Sequence, residues 1–345
     1  MKISLFDYNL PRALIAQSQI KPRDHSRLLI LDRAKEKISH QHFYNLPEYL
    51  SANDVLVVNE TKVFPARLYG HKSTGGQVEI LLTEKINNST WLAMIGARNL
   101  KVGDSIYLAD KLVAKIIKDI DGKIKQIKFN QVGKKLEAII DSIGHTPLPP
   151  YIKIKDSSKI KKDYQTIYAR SLGSAAAPTA GLHFTNKVLQ QLNKKGVKIF
   201  KVTLHVGLGT FAPVEVEDIT KHKIHHEWAS IDKNTVESLN KLKKQGKNII
   251  AVGTTSARTL EAFATKAGHL SSGSKWVDIY IYPGYKYKFV DDLITNFHLP
   301  KSSLLFMVAA LASREQILKA YQKAIKLKYR FFSFGDGMLI TKNRL

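Results

Sequence analysis

Cysteine is absent from the 345-residue sequence, which excludes disulfide bonds, thiolate catalysis and zinc sites built on cysteine. Apolar runs long enough to cross a bilayer are also missing, because the longest candidate, Leu304–Leu311, falls well short of the roughly 18 residues required. The first residues, MKISLFDYNLPRAL, contain no apolar signal-peptide core. We therefore expect a cytoplasmic protein with no membrane partner.

Acidic residues are scarce. The chain has 29 Asp and Glu against 54 Lys and Arg, which gives a formal net charge of +25. Such a surplus creates a positive field that attracts polyanions, of which nucleic acid is the commonest large one. The alternative is a lysine-rich surface that is merely solvated. RNA-recognition, KH and zinc-finger signatures are absent, so the charge indicates a nucleic-acid partner without identifying it.

The first part of the chain mixes short elements. NLPRALIAQ, with Pro11 as a first-turn residue, predicts a short helix start. Arg27–Asp32 and Lys37–Phe43 predict a hairpin around AKEK. The continuous apolar run Asp54–Asn59 predicts a strand that is covered on both faces.

The region from Lys62 to Lys128 contains six short strand patterns separated by turn residues, with no helix among them. This spacing is typical of a small closed or sandwiched β module. We therefore assign residues 62–149 to an inserted, antiparallel β-barrel domain. Residues 1–61 and 150–345 then form a discontinuous α/β catalytic domain.

The second half of the chain alternates between helix and strand patterns, which favours an α/β fold with a layered, mixed central sheet. The predicted elements are helix Thr185–Lys195, strand Val197–His205, helix Asn234–Lys244, strand Asn248–Val252, helix Ala257–Lys266, strand Trp276–Tyr282, and helices Ser302–Leu311 and Arg314–Lys326.

Three histidines lie in unusual segments. SAAAPTAGLHFT places small residues before His183, which is typical of a tight turn or of a backbone surface cleared for a ligand. LHVGLGTFAPV places His205 at a strand end before two glycines, but Pro213 replaces the third glycine of a dinucleotide fingerprint. TNFHLPKSSL places His298 before an apolar helix.

VGTTSARTLE joins a buried strand to a helix and carries hydroxyl residues and Arg258. Open α/β sheets bind ligands beyond the carboxyl ends of their strands, so this segment predicts a ligand site. A Ser/Thr helix cap explains only one of the hydroxyls. HKIHHE, His222–Glu227, resembles a metal site but fits no zinc spacing, so a polar cluster at the edge of a site is the better interpretation.

Nine segments of the chain, in this order, resemble the S-adenosylmethionine:tRNA ribosyltransferase-isomerases of queuosine biosynthesis. The segments are FDYNLPRALIAQ, PRDHSRLL, VVNETKVFPARL, DYQTIYAR, APTAGLHFT, HVGLGTF, GTTSARTLE, TNFHLPKSSLL and RFFSFGDGMLI. They extend from Phe6 to Ile340, and the family's description as an α/β domain with a β-barrel domain agrees with the patterns above.

The resemblance implies that the enzyme uses S-adenosylmethionine as a donor of its ribosyl unit. The acceptor is 7-aminomethyl-7-deazaguanine at the wobble position of tRNA, and the product is epoxyqueuosine-tRNA, with adenine and methionine released. S-adenosylmethionine is then a consumed substrate. No metal and no other cofactor is implied, and we expect a monomer.

The resemblance also suggests roles for residues of this chain. Proton-transfer candidates are His183, His205 and His298, and any of them can be acid, base or structural. Substrate-binding candidates are Pro178, Thr179, Gly181, Gly207, Gly209, Thr254, Thr255, Arg258 and Asn296, with Arg258 on the methionine carboxylate. Candidates for contacts with tRNA are Arg12, Arg23 and Lys301.

The chain departs from the family pattern at three places. RSLGSAA stands where an acidic residue and glycine are usual, His226 stands where a small hydroxyl residue is common, and GLGTF stands for GAGTF. None of these changes removes a chemically essential group, so we expect an active enzyme. Two other hypotheses are a conventional S-adenosylmethionine-dependent RNA methyltransferase, whose glycine-rich loop is absent, and a non-catalytic RNA-binding protein, supported by charge alone.

Overall fold

The computed structural model describes residues 1–120, 122, 124–154, 156–207 and 214–345. Its strands are β1 Arg27–Asp32, β2 Lys37–His42, β3 Asp54–Asn59, β4 Thr61–Val63, β5 Arg67–Lys72, β6 Gln77–Lys85, β7 Thr90–Gly96, β8 Ser105–Leu108, β9 Val113–Asp119, β10 Ile124–Phe129, β11 Ser171–Ser174, β12 Lys198–Leu204, β13 Glu227–Ile231, β14 Asn248–Val252, β15 Gly273–Val277, β16 Asp292–Asn296 and β17 Gly337–Thr341. Its α-helices are α1 Gly133–Ile143, α2 Ser158–Asp163, α3 Asn186–Lys194, α4 Lys233–Lys244, α5 Thr254–Phe263, α6 Ser303–Leu311 and α7 Arg314–Lys326.

The main sheet has nine strands in the order β15-β13-β12-β3-β14-β16-β17-β1-β2 and mixes parallel with antiparallel pairs. Its central strand β3 is buried at all six positions, as expected for a strand covered on both faces. One core, which includes Val57 and Leu260, packs on one side of the sheet, and a second core, which includes Leu56 and Phe184, packs on the other. The sheet is therefore the middle layer of the larger domain.

Several strand ends meet at one edge of this sheet. Strands β12, β3, β14 and β16 are adjacent in this order, and each pair is parallel, so their last residues all lie at this edge. Strands β1, β13 and β17 begin there, because Gly337 pairs with Asn296 and Ala229 pairs with Leu204. The residues of this carboxyl edge are Arg27, Asn59, Leu204, Glu227, Val252, Asn296 and Gly337.

The smaller unit is a closed six-stranded barrel in the order β10-β7-β6-β5-β8-β9, with antiparallel pairing throughout. Its interior is filled by apolar side chains such as Leu68 and Ile106, and α1 adds Leu136 and Ile140 to the same core. A separate pair, β4 with β11, joins the segments on either side of the barrel. Within the described part of the chain, no helix has the length and apolar character needed to cross a membrane.

The predicted fold class is confirmed, with a mixed sheet, layered helices and an inserted antiparallel barrel. The hairpin of β1 and β2, the six barrel strands and the bounds of α7 also agree with the prediction. The domain limits at residues 61, 62, 149 and 150 stay a prediction.

Three predicted elements were wrong in part. NLPRALIAQ forms only a 3-10 turn, Arg12–Leu14, because Ile15 forms a β-bridge with Phe331. The strand predicted over Trp276–Tyr282 ends at Val277, because Val277 pairs with Glu227 and its antiparallel partner β13 starts at that residue. The helix predicted from Ala257 starts earlier, directly after Gly253. Strands β16 and β17 were not predicted at all.

Candidate active site at the carboxyl edge of the sheet

The three histidines expected to transfer protons all lie at the carboxyl edge. His205 directly follows β12, and His298 comes two residues after β16. His183 ends a 3-10 turn, Thr179–His183, that packs on the end of β16. The fold therefore gathers side chains that are up to 115 residues apart in the sequence at the edge where open α/β sheets bind ligands.

His183 is almost fully buried and both of its ring nitrogens are engaged by the chain. Nδ1 lies 2.7 Å from Oγ of Ser26, and Nε2 lies 3.3 Å from Nδ2 of Asn296. The Asn296 amide also donates to the Phe332 carbonyl at 3.0 Å, so its NH₂ group faces the ring and Nε2 is the accepting nitrogen. The Phe43 ring stacks on the imidazole at 5.0 Å.

Burial lowers the pKa of His183 to about 3, with smaller contributions from the positive charges of Arg330 and Arg23. The imidazole is therefore neutral at physiological pH. With both nitrogens occupied, His183 joins the start of β1 to the end of β16 and holds this part of the edge together.

His298 is also buried, and burial lowers its pKa to about 3. Its Nε2 lies 2.8 Å from Oγ1 of Thr295, while its backbone carbonyl accepts a hydrogen bond from the Tyr8 hydroxyl. The backbone N–H of His298 donates to the hydroxyl oxygen of Tyr321 at 3.1 Å. Backbone and side chain are thus both fixed, which leaves little freedom for a moving acid or base.

His205 differs from the other two histidines because it is only half-buried. Its Nδ1 lies 2.8 Å from Oγ1 of the buried Thr61, and its ring stacks on Trp228 at 5.0 Å with an angle of 15° between the planes. Nε2 has no hydrogen-bond partner among the described residues. Burial lowers the pKa of His205 to about 4, so the ring is neutral at physiological pH. A neutral ring with one fixed and one open nitrogen is suited to accept a proton.

Gly173 packs directly against the His205 ring and was not singled out from the sequence. A Cβ atom at this position would lie 2.7 Å from Nε2 of His205, and the glycine has a φ of +148°. Only glycine fits both the space and the backbone conformation. The segment RSLGSAA, which carries this glycine, was noted only for its departure from the family pattern.

A buried ion pair lies next to His205. Arg258 donates from Nη1 to Oε2 of Glu227, and Oε1 of Glu227 accepts the Gly207 N–H at 3.0 Å. Arg258 is 5% exposed and Glu227 is 2% exposed. The sequence presents Glu227 only as the last residue of HKIHHE, and its place at the start of β13 beside Arg258 becomes evident in the fold.

The other substrate-binding candidates lie in the same region. Pro178 precedes the 3-10 turn, and the Thr179 hydroxyl donates to Oδ1 of Asn296 at 3.2 Å. Gly181 allows close approach of the protein itself, because an added Cβ would lie 2.1 Å from the Tyr168 hydroxyl. At Gly207, by contrast, an added Cβ would meet nothing within 4 Å among the described atoms.

The hydroxyl residues of VGTTSARTLE open helix α5. Thr254 and Thr255 are buried, and Oγ1 of Thr255 has no hydrogen-bond partner within the described part of the chain. Ser256 donates back to the Val252 carbonyl at 2.8 Å, so its hydroxyl is used within the helix. Gly209 lies outside the described residues.

The three residues predicted to contact tRNA have different environments. Arg12 is exposed. Arg23 is half-buried and donates to backbone carbonyls of the chain, including that of Gln165 at 2.6 Å. Lys301 is exposed and forms an ion pair with Asp7 at 2.6 Å. Arg23 thus supports the fold locally, and Arg12 and Lys301 are the surface cations of this group.

HKIHHE does not assemble a metal site. Among the residues described, no three His, Asp or Glu side chains come together in a way that would hold a metal ion. His222 instead packs edge-on against Tyr280 at 5.5 Å, and burial together with the charge of His225 lowers its pKa. The segment forms one wall of a pocket.

The fold and this site define an α/β enzyme with an inserted barrel and a histidine-rich, carboxyl-edge site. The family model described as "Queuosine biosynthesis protein" matches residues 3–340. The chain belongs to this family and is an enzyme of queuosine biosynthesis.

Relatives of known name agree with this assignment. The chain is 48% identical to the S-adenosylmethionine:tRNA ribosyltransferase-isomerase of Staphylococcus haemolyticus over 345 residues, which cover 99% of this chain and 100% of the relative. It is 49% identical to the protein of the same name from Desulforamulus reducens over 343 residues, with the same two coverages. A crystal structure of S-adenosylmethionine tRNA ribosyltransferase from Thermotoga maritima is similar, with a TM-score of 0.56 and 35% identity over 97% of this chain and 99% of that one.

Proposed function

We propose that the enzyme transfers the ribosyl unit of S-adenosylmethionine to 7-aminomethyl-7-deazaguanine at the wobble position of tRNA and isomerises it to the epoxide. The product is epoxyqueuosine-tRNA, and adenine and methionine are released. The observation that carries this proposal is the full-length similarity to proteins named S-adenosylmethionine:tRNA ribosyltransferase-isomerase. The net charge of +25 fits a tRNA partner.

The chemistry begins at the sulfonium group of the substrate. The positive sulfur acidifies the neighbouring 5′ carbon, and a general base takes the proton from it. Opening of the ribose ring then expels adenine. The free aminomethyl group attacks the sugar, and the freed ribosyl oxygen closes the epoxide as methionine leaves.

His205 is the base that the geometry supports best. Its Nε2 is open, its Nδ1 is held by Thr61, and its low pKa keeps it unprotonated at neutral pH. His183 and His298 have more rigid, buried environments and serve to position the edge. Gly207 lies two residues after His205, and among the described atoms none is within 4 Å of a Cβ added there, which supports close approach of a substrate to this backbone.

The proposed reaction consumes S-adenosylmethionine as a substrate and involves no metal or redox step. Proton transfers by imidazole and binding by amide, hydroxyl and guanidinium groups supply the required chemistry. We further propose that the enzyme acts as a monomer in the cytoplasm, where its tRNA substrate is found. The residues 1–61 and 150–345 would carry the reaction, and the barrel within 62–149 would be available for tRNA.

The test is release of adenine from S-adenosylmethionine in the presence of tRNA that carries the precursor base. His183→Ala, His205→Ala and His298→Ala are measured separately, with circular dichroism as a check of folding. We expect His205→Ala to lower kcat by about 100-fold or more, the usual contribution of a general base.

Two outcomes would contradict the proposal at different levels. A gain of one methyl mass on the tRNA, without adenine release, would show a methyltransferase. Unchanged turnover in all three histidine variants would refute the role of His205 while leaving the overall reaction intact.

A further inference from the structure

A narrow pocket opens at the carboxyl edge beside the Glu227–Arg258 ion pair. Its walls are formed by the HKIHHE segment, by Arg258 of helix α5, by the residues that follow β15 and by the start of α6. The polar side chains that line it are those of Arg258, Tyr280, Ser303, His222 and His225. Its cavity volume is about 20 Å³, so it accepts a small polar group and excludes a nucleoside.

Arg258 presents unused donors in this pocket. Glu227 takes only Nη1, and both Nε and Nη2 are buried with no hydrogen-bond partner among the described residues. These two nitrogens lie on one edge of the planar guanidinium, and their parallel N–H bonds match the two oxygens of a carboxylate. Buried polar groups are usually paired, so two open donors on one buried arginine indicate a missing acceptor.

Tyr280 provides a third unused donor. It lines the same pocket, and its hydroxyl is buried and lacks a partner within the described part of the chain. Burial raises the pKa of Tyr280, so the hydroxyl keeps its proton and donates. A single acceptor group with two oxygens can satisfy this hydroxyl and the guanidinium edge together.

The start of helix α6 adds a favourable field. Ser302 caps this nine-residue helix by accepting the Leu305 N–H, and Ser303 and Leu304, in its first turn, line the pocket. The amino end of a helix carries partial positive charge and open N–H groups, which favour an anion. An anionic ligand is therefore favoured by all three features, namely the amino end of α6, the Arg258 guanidinium and the Tyr280 hydroxyl.

We infer that this pocket is the subsite for the α-carboxylate of the amino-acid portion of S-adenosylmethionine, with Tyr280 and the first turn of α6 as specificity determinants beside Arg258. This inference rests on the proposed function. Glu227 acts as a positioning residue, since it orients the guanidinium with one oxygen and binds the Gly207 N–H with the other. The carboxylate end of the substrate is thereby placed next to the segment that carries His205.

The experiment compares the binding of S-adenosylmethionine with that of its decarboxylated analogue, which keeps the sulfonium, the amine and the nucleoside. Calorimetry on the full-length protein gives Kd for both without requiring turnover. We expect wild type to bind S-adenosylmethionine about 30-fold more tightly than the analogue, as for a buried bidentate ion pair. In Tyr280→Phe this preference should fall about fivefold, and in Arg258→Lys it should nearly vanish.

Tyr282→Phe is the matched control, because the centroid of the Tyr282 ring lies 5.0 Å from that of Tyr280, with the planes tilted by 43°, but Tyr282 does not line the pocket. The preference of the Tyr282→Phe variant for S-adenosylmethionine over the decarboxylated analogue should equal that of the wild-type protein. Equal affinities of wild type for the two compounds would overturn the inference while leaving the proposed reaction intact. If wild type binds neither compound, the proposed function fails as well, and the absence of adenine release will show this independently. Tyr280→Phe and Tyr282→Phe should both keep the wild-type urea midpoint within error, so a loss of folding cannot imitate the effect.

Discussion

The hydroxyl oxygen of Thr61 lies 2.8 Å from Nδ1 of His205 and fixes the orientation of the imidazole. Thr61 belongs to β4, in the short pair with β11, whereas His205 follows β12 of the main sheet. The contact therefore sets the position of the open nitrogen Nε2 from outside the strand that carries the ring. Such a hydrogen bond on the far nitrogen is the usual way in which proteins select the tautomer of a catalytic histidine.

Replacing Thr61 tests the orientation of His205 without touching its ring. Thr61→Val keeps the shape of the side chain and removes the hydrogen bond, so we expect kcat for adenine release to fall about tenfold. KM for S-adenosylmethionine should change little. Thr61→Ser, which retains the hydroxyl, should recover most of the rate. Equal loss in the Ser and Val variants would show that packing, and not the hydrogen bond, matters at this position.

Gly173→Ala should impair the enzyme through the His205 ring. The new Cβ would lie 2.7 Å from Nε2, so the imidazole must leave its position, and alanine is also strained at a φ of +148°. We expect at least a 100-fold loss of kcat in the adenine-release assay. Gly75→Ala is the control, because Gly75 also has positive φ but an added Cβ there meets nothing within 4 Å. Wild-type activity in Gly173→Ala would refute the close packing on which this expectation depends.

Loss of the Glu227 carboxylate should destabilise the fold. Glu227→Ala leaves the guanidinium of Arg258 buried without its partner, which typically costs about 3–5 kcal/mol. Urea unfolding should show this as a lower midpoint. Glu227→Gln retains one acceptor oxygen, enough for either the Arg258 or the Gly207 N–H, and should lose less than Glu227→Ala. If Glu227→Ala keeps the wild-type midpoint, solvent must reach Arg258 and the pair is not buried as described.

Stability should fall as the pH drops below the ordinary pKa of histidine. The pKa values of the buried His183 and His298 are lowered from 6.5 to about 3, so the unfolded chain takes up these protons first. The contribution of these two neutral imidazoles to the free energy of unfolding is complete above pH 6.5 and is lost as the pH falls toward 3. Between pH 6.5 and pH 5 the loss is about 2 kcal/mol for each ring.

The measurement for this pH dependence is the urea midpoint at about pH 7 and pH 5, where most carboxylates are still ionised. A His183→Gln, His298→Gln double variant should be less stable at neutral pH but should show a shallower decline. A wild-type midpoint that is constant between these pH values would contradict the burial of neutral imidazoles.

The sequence predicted the elements whose pattern is local. The barrel strands have short alternating patterns and clear turns, and β14 and α7 have uninterrupted apolar periodicity, so their existence follows from residues close in the chain. Strands β16 and β17 were missed because each adjoins a motif rich in polar residues or glycine. Their identity as strands comes from pairing with each other and with β14 and β1, which no local pattern contains.

The sequence indicated which segments contribute to the candidate site but not which side chains contact one another there. Each histidine was singled out, yet their different burial, which separates His205 from His183 and His298, depends on neighbours such as Ser26 and Thr61 from remote strands. Gly181 illustrates the same limit. Its small size suggested room for a ligand, whereas the space is filled by the Tyr168 hydroxyl.

The pair of β4 and β11 places both chain connections of the barrel beside the proposed base. Strand β4 leads into the barrel, β11 follows it, and Thr61 contacts both the Ser171 carbonyl at 3.4 Å and the His205 ring. A displacement of the barrel relative to the sheet must therefore move Thr61 or bend the chain between Val63 and Arg67. The orientation of the His205 ring is in this way linked to the position of the barrel.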